Sequence, residues 1–224
     1  MKIRAVTFDV GGTLIDPWPS VGHVYAEVAE KFTGTRFDPD LLTRSFVQAW
    51  KRKKNFGYSM DDWSDLVDAT FAGLLREPPA KTFFQDLYRR FIDPDTWRVF
   101  DDVPPALELL KNRGLKLGVI SNWDDRLEPL LRNLGLDRWF ECLVVSGPLG
   151  VHKPDPEIFR TAAQALGCAP ESILHVGDSP IEDLQGAEDA GFCGLLLDRD
   201  GRSEDPRRIA RLTEISQRVQ ESRE

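Results

Sequence analysis

Ile3-Arg4-Ala5-Val6-Thr7-Phe8-Asp9-Val10-Gly11-Gly12-Thr13-Leu14 opens with an apolar run, reaches a carboxylate, and passes into two glycines. The run Ile3–Phe8 reads as a strand buried on both faces. Asp9 then stands at the carboxyl end of that strand, where open α/β sheets bind their ligands. Gly11, two residues further, offers chemistry only through its backbone.

The same pattern recurs downstream. Leu115–Ile120, Cys142–Val145, Ile173–Val176 and Gly194–Leu197 are further apolar runs of strand length. Between them lie helical patterns with apolar residues three and four apart: Pro105–Asn112, Leu127–Leu134, Pro156–Leu166 and Ile181–Ala190. In Pro156–Leu166 the apolar Ile158, Ala162 and Leu166 share one face. Gly114, Gly135, Gly167 and Gly191 follow these helices as C-terminal caps do. Such alternation predicts an α/β fold: a Rossmann-like parallel sheet of five or six strands, covered by helices on both faces. The stretch from Pro17 to Trp97 departs from the pattern. It shows no convincing strand, only amphipathic segments at Val21–Phe32, Pro39–Lys53, Met60–Leu75 and Thr82–Phe91. The expected organisation is therefore an α/β core of residues 1–16 and 98–224, interrupted by an all-helical insert of residues 17–97. A charged helix over Pro206–Gln220, with Ile209, Leu212 and Ile215 on one face, is expected after the last strand.

Composition narrows the class. The chain is 41% hydrophobic and 29% charged, with a formal net charge of -8. That balance argues against binding the phosphate backbone of nucleic acid. No apolar run approaches the roughly 18 residues of a membrane span. A strand begins at Ile3 with no apolar leader ahead of it, and Cys142, Cys168 and Cys193 are odd in number and scattered. A cytoplasmic protein whose thiols serve as small buried hydrophobes is expected.

Three predicted strand ends carry polar residues: Asp9, Ser121-Asn122, and Gly177-Asp178, with Asp183 five residues on. Lys153 stands just before the helix that begins near Pro154-Asp155-Pro156. Singly, each has a plain explanation as a turn cap, a strand-exit residue or a solvated lysine. Together they gather three carboxylates, an ammonium and a hydroxyl at one sheet edge, and that set suits phosphoryl chemistry. Mg²⁺ takes oxygen ligands, which Asp9 and Asp178 can supply, and Asp183 can orient the ion's water from behind. Lys153 and Ser121 suit the oxygens of a transferring phosphoryl group. Asp9 can itself attack phosphorus, as carboxylate nucleophiles do.

Phe8–Leu14, Ile120-Ser121-Asn122, Lys153-Pro154-Asp155-Pro156 and His175-Val176-Gly177-Asp178-Ser179-Pro180-Ile181-Glu182-Asp183 resemble, in order, motifs I to IV of the haloacid dehalogenase (HAD) superfamily. The helical insert after the first motif is similar to the class 1 cap of subfamily I. Val119–Glu128 within Trp97–Leu136 looks closest to the branch typified by haloacid dehalogenase-like hydrolase domain-containing protein three. The resemblance implies a hydrolase, with Asp9 as nucleophile and metal ligand, and Gly11 (through its carbonyl) and Asp178 as further ligands of Mg²⁺. It implies that Ser121 hydrogen-bonds a phosphoryl oxygen with Asn122 beside it in the catalytic set, that Lys153 offsets charge, and that Asp183 holds the metal's water or Lys153. Thr13 and Trp123 are expected at the substrate, a small phosphorylated metabolite, in a monomer or homodimer.

In typical phosphatases of this superfamily the residue two beyond the nucleophile is an Asp that protonates the leaving group. General acid–base help of this kind is worth about 10² to 10⁴-fold. Gly11 keeps the carbonyl and lacks the proton donor, so slow turnover of alkyl phosphates is expected, with aryl or acyl phosphates less affected. The rival readings are a catalytically weak relative that binds a phosphorylated ligand or a protein, a 2-haloacid dehalogenase, and a phosphonatase using a cap lysine among Lys51, Lys53 and Lys54. Dehalogenases also lack the second Asp, yet they need no metal and usually lack the acid at Asp178. Trp18, Trp50, Phe56, Tyr58 and Trp63 either present a face to the substrate or pack the insert's own core. His175 reads as a core histidine, and His152 as a candidate replacement acid/base.

Overall fold

A computed structural model describes residues 2–53 and 56–221. In chain order the strands are β1 (Ala5–Phe8), β2 (Ile15–Pro17), β3 (Trp97–Val99), β4 (Lys116–Ser121), β5 (Cys142–Val145), β6 (Ile173–Gly177), β7 (Cys193–Leu197) and β8 (Arg208–Ile209). The α-helices are α1 (Val21–Thr33), α2 (Pro39–Arg52), α3 (Met60–Thr70), α4 (Phe84–Arg90), α5 (Val103–Asn112), α6 (Leu127–Asn133), α7 (Ser146–Leu149), α8 (Pro156–Leu166), α9 (Gly186–Asp189) and α10 (Ile215–Glu221). The chain forms two compact units, Asp16–Arg98 and the segments on either side of it.

The α/β unit is built on a parallel sheet of order β5-β4-β1-β6-β7-β8. All four residues of β1 are buried, three of them apolar and the fourth, Thr7, hydrogen-bonded to His175, as a strand covered on both faces requires. Register decides where the chemistry falls. Phe8 lies opposite Val119 of β4 on one side and Val176 of β6 on the other. Asp9 N–H extends this ladder to the Val176 carbonyl at 2.9 Å. The carboxyl ends of β1, β4 and β6 therefore finish side by side, carrying Asp9, Ser121 and Gly177-Asp178.

α8 shows how local sequence positions the unit's parts. Asp155 caps it by accepting from Glu157 N–H, Pro156 fits the first turn, and Gly167 ends it at φ 59°. Its buried face, Ile158, Phe159, Ala162, Ala163 and Leu166, packs with Ala5, Ile120 and Ile173 of the sheet. Burial of such side chains contributes about 1.5–3 kcal/mol each.

Three details depart from the sequence pattern. A separate two-stranded sheet of β2 and β3, which the sequence does not predict, borders the insert and takes in only Pro17 and Trp97 of residues 17–97. Pro206–Gln220 predicts one helix, but Arg208–Ile209 instead adds a sixth strand beside β7, a 3₁₀ turn follows at Leu212–Glu214, and α-helix begins at Ile215. Ile209, Leu212 and Ile215 are all buried, so the apolar spacing gave burial at all three and α-helix only at Ile215. The cysteines are free and half-buried, and burial pushes the Cys142 thiol up to about 11.

The second unit has its own core, formed by Val24, Tyr25, Val28 and Ala29 of α1, Leu42 of α2, Val67 and Phe71, and Phe83, Phe84 and Leu87. Trp50, Phe56, Tyr58 and Trp63 pack on one another with ring centroids 4.9–6.5 Å apart. Trp18 is 49% exposed, with the Arg98 guanidinium 4.9 Å from its ring. Of the lysine run, Lys51 is exposed and Lys53 pairs with Asp65 at 3.6 Å; Lys54 lies outside the described residues.

Candidate active site

Lys153 is the hub of the sheet edge. Its side chain is 1% exposed, and Nζ donates to Asp9 Oδ1 at 2.7 Å and to Asp183 Oδ1 at 2.6 Å. Ser121 Oγ donates to the same Asp9 oxygen at 3.1 Å. Asp183 also accepts from Ser179 N–H at 2.9 Å and bonds His175 Nε2 at 3.2 Å. His175 is held from its other side by Thr7 Oγ1 at 3.0 Å and is 0% exposed, a core histidine as its strand position suggests. His152, beside Lys153, is exposed.

Asn122, beside Ser121, is bonded to the Lys153 backbone. Its side-chain amide pairs with the Lys153 peptide, Oδ1 accepting from Lys153 N–H at 2.7 Å and Nδ2 donating to the Lys153 carbonyl at 3.0 Å. It holds the lysine's backbone in place. Nδ2 also donates to Glu182 Oε2 at 3.2 Å. Thr13 is 0% exposed, its carbonyl accepts from Arg199 Nη2 at 2.8 Å, and its buried Oγ1 has no hydrogen-bond partner among the described residues.

Two glycines make room for the acids. A Cβ on Gly12, which sits at φ +74°, would collide with the Asp178 carboxylate, and one on Gly177 would collide with that of Asp183. The chain after β6 then makes a wide π-helical turn over Pro180–Gln185, begun by Ser179 Oγ accepting from Glu182 N–H. That turn brings Asp183 back under the sheet edge, a placement π-turns often serve at functional sites.

The charges explain one another. Burial opposes ionisation of Asp183, but the Lys153 ammonium and the His175 bond prevail and hold its carboxyl well below the usual range. Burial alone would lower Lys153; the Asp183 and Asp9 carboxylates more than offset this, so it stays charged. Asp9 is pushed up, by burial first and by Asp183's charge, against the pull of Lys153. Asp178 is exposed as a residue, yet its carboxyl has lost much of its water and faces Asp9 and Asp183, and it is pushed up to about 7. Burial also raises Glu182. Oxygens of Asp9, Asp178 and Asp183 lie within 4.8 Å of one another. Three crowded carboxylates against one ammonium form an all-oxygen donor set with surplus negative charge, which fits a hard divalent cation. Both Asp183 oxygens already accept protein hydrogen bonds, so Asp9 and Asp178 are the better-placed ligands.

Sequence reasoning finds Asp9, Ser121, Lys153, Asp178 and Asp183 and passes over Glu182, the Thr7–His175 support, and the turn that carries Trp123. There Ser146 Oγ bonds both the Trp123 N–H and its carbonyl at 3.0 Å, and Asp124 pairs bidentately with Arg126. Only the π-turn and the sheet register bring these groups together, so sequence spacing carries no signal for them.

The family pattern described as haloacid dehalogenase-like hydrolase matches residues 3–191. The chain belongs to the HAD-like hydrolases. Within that family it falls in the branch of haloacid dehalogenase-like hydrolase domain-containing protein 3; the Danio rerio protein of that name is 36% identical over 89% of this chain and 86% of its own. A phosphoserine phosphatase of Thermus thermophilus is 35% identical over 57% of this chain and 49% of its own. Among solved structures, a HAD phosphatase from Thermococcus onnurineus is similar with a TM-score of 0.71, 25% identity and 98% of both chains covered. No described helix is long and apolar enough to cross a membrane.

Proposed function

We propose that this HAD-like hydrolase is a Mg²⁺-dependent phosphatase of a small phosphorylated metabolite, acting through phosphorylation of Asp9. The observation that carries the reading is the buried Lys153 ammonium bound at once to Asp9 and Asp183. It keeps a nucleophilic carboxylate oriented and supplies positive charge where a phosphoryl group would arrive. Asp9 attacks phosphorus and the leaving oxygen departs with its electron pair. Water then displaces the Asp9 carboxylate. Ser121 fixes the orientation of the attacking group, and Asn122 holds the Lys153 backbone. Mg²⁺, held by Asp9, Asp178 and the Gly11 carbonyl, would neutralise charge on the phosphoryl oxygens when bound. The phosphatase names among similar proteins support the same reading. Three carboxylates at the edge weigh against a haloacid substrate, whose own carboxylate would meet them.

Hydrolysis of 4-nitrophenyl phosphate with and without Mg²⁺, beside Asp9→Asn, tests the proposal. Activity is expected only with the ion and only with Asp9. Turnover that survives Asp9→Asn sinks the mechanism.

A further inference from the structure

We propose that Trp123 is the specificity-determining wall on the leaving-group side of the site, and that with Gly11 it confines the enzyme to acyl and aryl phosphates. This rests on the phosphatase reading and names its substrate class.

Gly11 is not among the glycines with positive φ, so its backbone conformation does not demand glycine. Space bears on it: a Cβ at residue 11 would sit 3.3 Å from Trp123 Cζ3, so the indole would have to yield by a few tenths of an ångström to reach a good carbon–carbon contact. The backbone that carries the indole is firmly held. Trp123 N–H and its carbonyl are both bonded to Ser146 Oγ, and the carbonyl also accepts from Gly147 N–H at 2.8 Å. Gly147 is itself tightly fitted, for a Cβ there would lie 3.0 Å from the Trp123 carbonyl oxygen and 3.0 Å from Asp124 Cα. Beyond it, the buried Asp124–Arg126 pair fixes the turn. The two positions are therefore neighbours, a bare residue 11 and an indole, carried on a fixed backbone, whose edge lies against the space a side chain there would enter.

The consequence is chemical. Residue 11 brings no proton, and an aromatic wall replaces any that it could bring. Lys153 is committed to two carboxylates, and His175 is sealed behind Asp183. With no proton donor at residue 11, the site favours a leaving oxygen that departs as a stable anion. Asp9 forms a bond to phosphorus while the P–O bond to the leaving group breaks. The electron pair leaves on a carboxylate or phenolate oxygen, which needs no proton. Water attacks phosphorus next and the bond to Asp9 breaks. The products are the Asp9 carboxylate and dihydrogen phosphate, which keeps both protons of the water.

The experiment compares acetyl phosphate, 4-nitrophenyl phosphate and ethyl phosphate, each with Mg²⁺, in the wild type, Gly11→Asp, Trp123→Ala and the double variant. The wild type should hydrolyse the first two, with ethyl phosphate at least about 10²-fold slower. Gly11→Asp alone should gain little on ethyl phosphate, and the double variant about 10²-fold. In thermal unfolding, Gly11→Asp should lower Tm by about 2–4 °C when the indole is present and by much less when it is added to Trp123→Ala. Equal wild-type rates on ethyl and aryl phosphates overturn the substrate class while leaving the phosphatase reading standing. Equal Tm losses in both backgrounds overturn the pairing. If the wild type hydrolyses none of the three phosphates, the phosphatase reading fails and the substrate class with it, whatever Tm shows.

Discussion

Asp9 divides its surroundings into two halves built in opposite ways. On one side, Lys153, Asp183, His175, Thr7 and Ser121 form a sealed network in which the ammonium and the Asp183 carboxylate are 1% and 2% exposed. On the other, Gly11 contributes no side chain, Trp123 is half-buried, and the exposed Asp178 is held near a pKa of 7 by partial loss of water and by like charges. The sealed half has matched every charge within the protein. The open half has charge left over. The first therefore belongs to folding and fixes the position and ionisation of Asp9, while the second is free to respond to an ion or a substrate.

That contrast gives Lys153→Met the greatest expected consequence. The substitution keeps the apolar stem and leaves two buried carboxylates facing each other. Removing one member of a buried pair costs about 3–5 kcal/mol. Urea unfolding measures it, and a loss under about 1 kcal/mol would mean that the network is less sealed than its burial indicates. Lys153→Met combined with Asp183→Asn should cost less than the two separate losses added together, because the orphaned charge is gone. Activity should be lost in both.

Asn122→Ala should come next. It leaves the Lys153 N–H and carbonyl without the amide that pairs with them. An unpaired buried backbone group costs about 1–3 kcal/mol. Lys153 Nζ would still reach its carboxylates, so the variant should keep part of its activity, separating placement of the lysine from its charge. Activity as low as that of Lys153→Met would show that Asn122 does more than hold the backbone.

The sealed half was also the more legible in sequence. Asp9, Ser121, Lys153 and Asp183 sit at strand ends or near a helix start, and a parallel sheet brings such ends to one edge whatever the details of packing. The role of Asn122 was not legible, since a side chain that mimics a peptide partner looks in sequence like any strand-exit amide. Ile209, Leu212 and Ile215 gave burial correctly at all three positions but α-helix only at Ile215, because a residue pair adding to a sheet edge and a helical turn bury similar spacings. Gly11 could be read as a missing acid. That the Trp123 ring lies against it was not legible, and the backbone under that ring is held by Ser146 and Gly147 from a separate strand end.

The smallest effect tests the open half directly. Asp178 has an ordinary carboxylate value of 3.8 in the unfolded chain and about 7 in the folded, metal-free protein. Between those values the folded state binds more protons than the unfolded one, so stability falls as pH rises from about 4 to about 7. A divalent cation needs Asp178 ionised and must displace that proton. Its apparent affinity should therefore improve about tenfold from pH 6 to pH 8, with proton release on binding in the lower range. Titration calorimetry with Mg²⁺ at both values, in buffers of different ionisation enthalpy, measures each part. Asp178→Asn should weaken binding and flatten its pH dependence, whereas in the wild type an affinity that ignores pH would mean that Asp178 carries no surplus charge and that the two halves are alike.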